Sequence, residues 1–156
     1  MQLTLSQKER MLLEDQKSHE QLCIDKYTNY ANQSSDSQLK QLFTNHASIE
    51  QQHLNSINQL LSGQVPQMNQ QQSNNQNQQQ NMNNNQNTGM SGVSDAEMCQ
   101  DLLMTEKYVS GAYDTTIFEC KDTNVREVLN HIQKEEQKHG EAIFKYMESK
   151  GMYKVQ

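Results

Sequence analysis

The sequence predicts an all-α protein, a four-helix bundle made of two repeated helical hairpins. Three observations predict this fold class. Apolar residues recur with a period near 3.6 through four segments, and no segment has the pattern of a strand. The chain resembles itself after a shift of 86 residues. One block, residues 67–87, consists of Asn or Gln at 18 of its 21 positions and separates the two halves.

The first half, residues 1–62, is predicted to form one hairpin. Ser6 to Glu9 has the form of a capping box, and Ser35 to Gln38 can form a second one at the end of the polar stretch 32–36. Gly63 follows the second helix and is a typical helix end. The predicted buried stripes are Leu13, Gln16, Glu20, Ile24, Tyr27 and Ala31 on the first helix and Leu39, Leu42, Phe43, His46, Glu50, His53, Ile57 and Leu60 on the second.

The second half, residues 94–156, is predicted to form another hairpin, and the two hairpins together form one bundle domain. Ser94 to Glu97 is a capping box, a turn is expected at residues 121–123, and Gly151 ends the last helix. The predicted stripes are Cys99, Leu102, Leu103, Glu106, Val109, Tyr113, Ile117 and Cys120, then Val125, Val128, Leu129, Ile132, Glu136, His139, Ile143, Tyr146 and Met147.

Residues 63–93 are predicted to be a long, flexible, disordered connector. An Asn/Gln tract buries too little apolar surface to offset the entropy of ordering it, although it has some tendency to self-associate. The connector joins the second helix to the third. An up-down pair, a long crossover and another up-down pair is the ferritin-like topology, which we therefore expect.

The internal repeat carries a pattern of metal-ligand type. Glu50 and His53 recur as Glu136 and His139, and in each pair the two side chains lie one helical turn apart on the same face. Such Glu-x-x-His pairs occur in dimetal sites of helical bundles. The same shift aligns Asp15 with Asp101, Glu20 with Glu106, Tyr27 with Tyr113, Asp36 with Asp122, Gln51 with Gln137, and Ile57 with Ile143.

The helix lengths predict that these ligands meet. In each hairpin the two glutamates are 30 residues apart with the turn midway, so all four lie about 22 Å from a turn. A dinuclear iron or manganese site takes such carboxylate and imidazole ligands. Two alternatives remain open: hydrogen-bonded Glu/His pairs without metal, and side chains at the stripe margin that reach water. The candidate ligands are Glu20, Glu50, His53, Glu106, Glu136 and His139.

Other polar and aromatic residues near this pattern receive structural assignments. His46 lacks an equivalent in strict register and is interpreted as a core residue or as a residue supporting the ligands. Tyr27 and Tyr113 are interpreted as packing residues rather than redox groups. His19 points about 100° away from Glu20 along the helix, so we expect it at the surface.

Composition excludes several classes of protein. A net charge of −6 argues against nucleic-acid binding, which needs a basic face. No apolar run reaches the length of a membrane span, and residues 1–10 lack the apolar core of a signal peptide. Cys23, Cys99 and Cys120 form no CxxC motif and are interpreted as buried hydrophobic residues in a reducing compartment, with a free redox thiol as the alternative.

The second half also resembles a known family, Coat F of endospore-forming bacteria. Tyr113, Glu119 and Arg126 belong to the resemblance, which covers about residues 95–153. Its most distinctive stretches are Asp101-Leu102-Leu103-Met104-Thr105-Glu106-Lys107-Tyr108, Glu135-Glu136-Gln137-Lys138-His139 and Gly151-Met152-Tyr153. The resemblance implies a ferritin-like fold and a spore coat component made in the mother-cell cytoplasm. It does not imply catalysis.

Three functional hypotheses follow, of which the first two are favoured. The first is a spore coat protein with a structural or protective role that carries a dinuclear Fe or Mn site and assembles with other coat proteins or with itself. The second is a rubrerythrin-like or catalase-like oxidoreductase acting on peroxide or oxygen, with Glu50/His53 and Glu136/His139 each holding one metal and Glu20 and Glu106 completing or bridging the coordination. The third is iron storage.

Overall fold

In a computed structural model, residues 2–67 and 93–153 of the chain are described. They form four helices and, within these ranges, no strand: α1 (Gln7–Gln33), α2 (Ser37–Leu61), α3 (Asp95–Glu119) and α4 (Thr123–Ser149). The all-α fold class and the two hairpins predicted from the sequence are confirmed. Most of the predicted flexible connector, residues 68–92 of 63–93, lies outside the described residues, so its flexibility stays a prediction.

Short polar side chains fix where each helix begins. Ser6 Oγ accepts the backbone N–H of Glu9 at 3.1 Å while Glu9 Oε2 accepts that of Ser6 at 2.7 Å, which is the predicted capping box. Ser94 and Glu97 form the same pair before α3. At α2 the prediction was one residue early. The N-cap is Asp36, whose carboxylate accepts the N–H of Gln38 at 3.0 Å.

Contacts between helix ends define the topology. Lys8 at the start of α1 pairs with Glu119 at the end of α3, at 2.9 Å. At the other end, the N–H of Ser35, which follows α1, donates to Asp95 at the start of α3 at 2.9 Å. Helices α1 and α3 are therefore antiparallel, and α2 runs parallel to α3. Parallel α2 and α3 require a connection between opposite ends of the bundle, as the ferritin-like topology predicts.

Equivalent hydrogen bonds join the start of the first helix of each hairpin to the turn of the other hairpin. Glu9 Oε1 accepts the backbone N–H of Lys121, in the second turn, at 2.7 Å. The residues 86 positions away in each case are Asp95 and Ser35, which make the equivalent bond between α3 and the first turn. The repeat in the sequence thus corresponds to matching contacts in the fold.

Glu9→Gln is expected to destabilise the bundle by about 1–2 kcal/mol at pH 7, because one amide oxygen replaces two carboxylate oxygens that each accept a backbone N–H. Burial raises the pKa of Glu9, but the backbone N–H groups of Lys121 and Ser6 outweigh it and hold that pKa below its usual value. A depressed pKa contributes stability that is present above the unfolded-state value and is lost as pH falls through the folded-state value. Urea unfolding should therefore show a gap between wild type and variant that narrows below about pH 4.5.

Glu97→Gln is the matched control for this prediction. Glu97 occupies the same capping position on α3, but it is exposed and, among the described residues, its carboxylate bonds only within its own cap. Its substitution is expected to change the free energy of unfolding by a few tenths of a kcal/mol. Equal effects of the two substitutions would show that the Glu9–Lys121 bond contributes nothing.

The core follows the predicted stripes with small rotations. Cys23 is fully buried, whereas its neighbour Ile24, which was predicted to be buried, lies at the margin. His19 lies partly exposed at the surface, where its ring centroid is 5.4 Å from that of the exposed Tyr108, edge to face. Leu42, Leu103 and Ile117 also lie at the margin.

Two further predictions from composition can be compared with the structure. All three cysteines are free and buried, as the sequence predicted. Burial is the main cause that raises the pKa of Cys99 to about 12 and of Cys120 to about 11. These thiols are therefore protonated at neutral pH and poorly reactive. Separately, none of the four described helices is both long and apolar enough to cross a membrane.

Candidate metal centre

All six ligand residues predicted from the sequence lie in one buried cluster within the bundle. Each side chain is at most 3% exposed, although every one of them is ionisable. One helix supplies a single glutamate and the next supplies a Glu-x-x-His pair, and the second hairpin repeats this pattern. The cluster consists of Glu20 on α1, Glu50 and His53 on α2, Glu106 on α3, and Glu136 and His139 on α4.

The cluster divides into two overlapping groups of four. In each group every residue offers one ligand atom, and these atoms lie within 4.8 Å of one another. Glu50 and Glu136 belong to both groups. The first group adds Glu20 and His53, and the second adds Glu106 and His139. The sequence left open whether Glu20 and Glu106 bridge two ions, and the structure instead gives the shared position to Glu50 and Glu136.

Both histidines of the cluster direct Nδ1 towards the carboxylates. His53 Nδ1 lies 3.2 Å from Glu50 Oε2 and 3.1 Å from Glu136 Oε1. His139 Nδ1 lies 2.9 Å from Glu50 Oε1 and 3.4 Å from Glu106 Oε1. Spacing of three residues sets this orientation within a helix, and packing of α2 against α4 brings each imidazole to the other helix's glutamate. One nitrogen of each ring is thereby placed among carboxylate oxygens from several helices.

The metal-free cluster balances its charge with protons. Burial, followed by the neighbouring Glu20, raises the pKa of Glu50 to about 7, and burial and Glu136 raise that of Glu106 to about 8. Burial opposes charge on His139, but Glu106, Glu136 and Glu50 outweigh it and raise its pKa to about 11. A buried group of four carboxylates needs positive charge beside it. Divalent cations supply such charge, and their binding releases the protons.

The hydrogen bonding of three carboxylate oxygens in the cluster indicates whether the site suits a metal ion. Glu20 Oε2, Glu106 Oε2 and Glu136 Oε2 are buried and find no hydrogen-bond partner among the described residues. Hydrogen-bonded Glu/His pairs account for the Nδ1 contacts, and without metal these oxygens are satisfied only where neighbouring carboxyl groups, such as Glu106 and Glu136, share a proton. Cations would satisfy them. Carboxylate oxygen and imidazole nitrogen are ligands that Fe²⁺ and Mn²⁺ accept, so the residues present fit the group.

Two tyrosines support the cluster more directly than the sequence predicted. Tyr27 and Tyr113 are fully buried, and each hydroxyl donates to a glutamate of the opposite hairpin. Tyr27 donates to Glu106 Oε1 at 2.5 Å and Tyr113 to Glu20 Oε1 at 2.6 Å. They were interpreted as packing residues only, and that interpretation was incomplete. The available signal was their position two turns after a ligand glutamate in both repeats.

His46 is a core residue, as one of its two predicted roles requires. Its ring stacks on that of His139 with centroids 4.0 Å apart, and Tyr27 meets it edge-on at 5.0 Å. Burial, with a smaller effect of His139, lowers the pKa of His46 to about 2, so it stays neutral. It belongs to neither ligand group and fixes the plane of a ligand imidazole.

Glu135 lies beside a ligand histidine, although no role for it was predicted from the sequence. Its Oε1 atom lies 3.7 Å from His53 Nε2, on the outer side of that ring, and also pairs with His131. The Glu135 carboxylate thus lies near the ring without a hydrogen bond to it, and His53 Nε2 has no hydrogen-bond partner among the described residues. The position in the first repeat is Ile49, so the repeat offered no signal for this residue.

Comparisons with known proteins agree with this architecture. Residues 94–156, the second hairpin, match the Coat F domain, so the resemblance predicted from the sequence is confirmed. No curated protein matches the chain. Among solved structures, the fold is similar to that of a two-domain protein from Anabaena variabilis ATCC 29413 that contains DJ-1/ThiJ/PfpI-like and ferritin-like domains.

The structural match extends over nearly the whole chain. Its TM-score is 0.70 at 15% sequence identity, and it covers 95% of this chain. The chain spans 38% of the length of the Anabaena protein, which therefore contains much that has no counterpart here. Identity this low shows the fold alone. The chain is a ferritin-like four-helix bundle whose second hairpin, residues 94–156, matches the Coat F domain.

Proposed function

We propose that this protein is a spore coat component that holds a dinuclear iron or manganese centre in its bundle core. The observation that carries the metal proposal is the pair of overlapping ligand groups around Glu50 and Glu136, with buried carboxylate oxygens left unpaired. The match of residues 94–156 to the Coat F domain supports the placement in the coat.

Each residue of the cluster has a defined part in this proposal. Glu20 and His53 would hold one ion and Glu106 and His139 the other, with Glu50 and Glu136 available to both. Tyr27 and Tyr113 keep the two outer glutamates oriented through their hydroxyls. When bound, a two-metal centre supplies Lewis acidity and one-electron redox chemistry towards small oxygen species.

In the coat, the role we propose is structural or protective assembly. Synthesis in the mother-cell cytoplasm, contacts with other coat proteins and self-association belong to this proposal. Fractionation of purified spores tests the placement: the protein should be recovered in the coat extract and depleted from the decoated spore. Its recovery in the spore core fraction would contradict the proposal.

A second candidate function is reduction of peroxide or oxygen at the same centre. One observation favours it. A groove of about 350 Å³ between α3 and α4 reaches Glu106 and Glu136 from the surface, so a small molecule has space beside the second ligand group. A purely structural centre needs no such space.

Elemental analysis tests the metal proposal. Protein prepared without chelator, loaded anaerobically with Fe²⁺ or Mn²⁺ and then desalted, is expected to retain about two ions per chain. Fewer than about half an ion per chain would overturn the proposal. Hydrogen peroxide consumption by the same sample separates the two functions: metal with turnover supports the oxidoreductase, and metal without turnover supports the structural role.

A further inference from the structure

The groove between α3 and α4 leads from the surface to one side of the candidate metal centre. Its floor includes Glu106 and Glu136, two members of the second ligand group, and its walls include Ser110 and Gly140. At the outer end, Tyr153 packs edge-on against Phe144 with centroids 4.9 Å apart. The groove thus brings the surface close to these two buried glutamates, which are 3% and 0% exposed.

Gly140 is the residue that leaves this path open. It lies on α4 one turn after Glu136 and directly after His139, so a side chain there would lean back over Glu136. A Cβ atom added at Gly140 would meet only Leu103 Cδ1, at 3.9 Å, which is an ordinary van der Waals contact. The space above Glu136 is therefore free, and a larger side chain could occupy it without colliding with backbone.

The first hairpin fills the corresponding place. The residue 86 positions before Gly140 is Leu54, which is only 8% exposed and lies one turn after Glu50. The residue 86 positions before Ser110 is Ile24, which is partly buried. Two branched apolar side chains thus stand on the α1/α2 side where a glycine and a serine stand on the α3/α4 side. The two repeats therefore have the same ligand residues but differ in the side chains that pack over those ligands.

From this asymmetry we propose that the α3/α4 groove is the entry route to the centre, through which divalent metal ions reach Glu106, Glu136 and His139. The inference rests on the proposed metal function and adds the direction of entry. Glu141 at the rim is paired with Lys145 at 2.6 Å, and Lys107 also lines the groove, so the space beside Gly140, and not charge at the rim, supports this route.

The test replaces Gly140 with leucine, the residue found at the equivalent position, Leu54, in the first repeat. Gly140→Leu should slow Co²⁺ loading of the full chain at least tenfold, while the final stoichiometry stays that of wild type. The visible absorption of bound Co²⁺ measures the loading rate. Gly140→Ala should slow loading much less. Gly111→Leu is the control, since Gly111 is exposed on the same helix as Ser110 and a Cβ there meets no atom within 4 Å. It should load at the wild-type rate.

The outcomes separate the route from the centre itself. A wild type that takes up no Co²⁺ would overturn the metal proposal and the route with it. A wild type that loads while Gly140→Leu loads equally fast, or while Gly140→Leu loses final occupancy, would overturn the route alone. Ser110→Ile narrows the groove from its other wall. If Gly140→Leu does not fold, slowing by Ser110→Ile supports the route, and an unchanged rate overturns it.

Discussion

Glu136→Gln is expected to abolish binding of both metal ions, whereas Glu106→Gln is expected to remove only one. Glu136 belongs to both ligand groups and Glu106 to the second alone. Glutamine keeps the shape of the side chain but removes the charge that draws the cation, and loss of a ligand should weaken affinity at least about 100-fold. Metal analysis after loading with Mn²⁺ should therefore give about two ions for wild type, one for Glu106→Gln and none for Glu136→Gln.

The internal repeat provides matched controls for this series. Glu50→Gln should behave like Glu136→Gln, and Glu20→Gln should behave like Glu106→Gln, because each pair occupies equivalent positions. Helical circular dichroism of each variant checks that the bundle is folded. Retention of both ions by Glu136→Gln would contradict the shared position, as would equal loss of metal from Glu106→Gln and Glu136→Gln.

Metal loading is expected to raise the melting temperature of the wild type by roughly 10–20 °C. Ligand at 100 times its dissociation constant stabilises by about 2.7 kcal/mol per site, so two sites contribute about 5 kcal/mol. A chain of this size gains roughly 2–4 °C per kcal/mol. The physical source is the relief of repulsion among four carboxylates that are at most 3% exposed. Thermal unfolding with and without Mn²⁺ measures the shift.

Glu136→Gln also serves as the control for this measurement. It should unfold at a temperature that Mn²⁺ does not change, because it lacks one of the two carboxylates common to both groups. Glu97→Gln, with its exposed carboxylate on α3, should show the full wild-type shift. A Mn²⁺-dependent shift in Glu136→Gln as large as that of the wild type would mean that the stabilising ions bind elsewhere.

Local signals in the sequence determined the four helices and their order. Capping side chains such as Ser6 and Ser94 act within three residues, and apolar periodicity acts within one helix, so neither needs the rest of the fold to be recognised. The six ligands were also predictable. Equal helix lengths on either side of each turn bring Glu20 level with Glu50. The same spacing recurs in the second repeat and brings Glu106 level with Glu136.

Only the tertiary structure decided how those ligands are shared and supported. Whether Glu50 or Glu20 takes the common position depends on the rotation of each helix about its axis, which spacing along the chain does not report. The bonds from Tyr27 and Tyr113 cross between hairpins, and Glu135 approaches His53 from another helix. These contacts join residues more than 75 positions apart, beyond the reach of any local pattern.

Access to the candidate metal centre also depends on the tertiary structure and not on the sequence pattern alone. In the sequence, Gly140 is one glycine within a helical pattern, and its alignment with Leu54 carries no meaning until both are placed beside their glutamates. The packed bundle shows that Leu54 is buried next to one ligand pair while Gly140 leaves a groove beside the other. Sequence periodicity determines which residues face the interior. The volume that neighbouring helices leave between them determines which of those residues a small ion can reach.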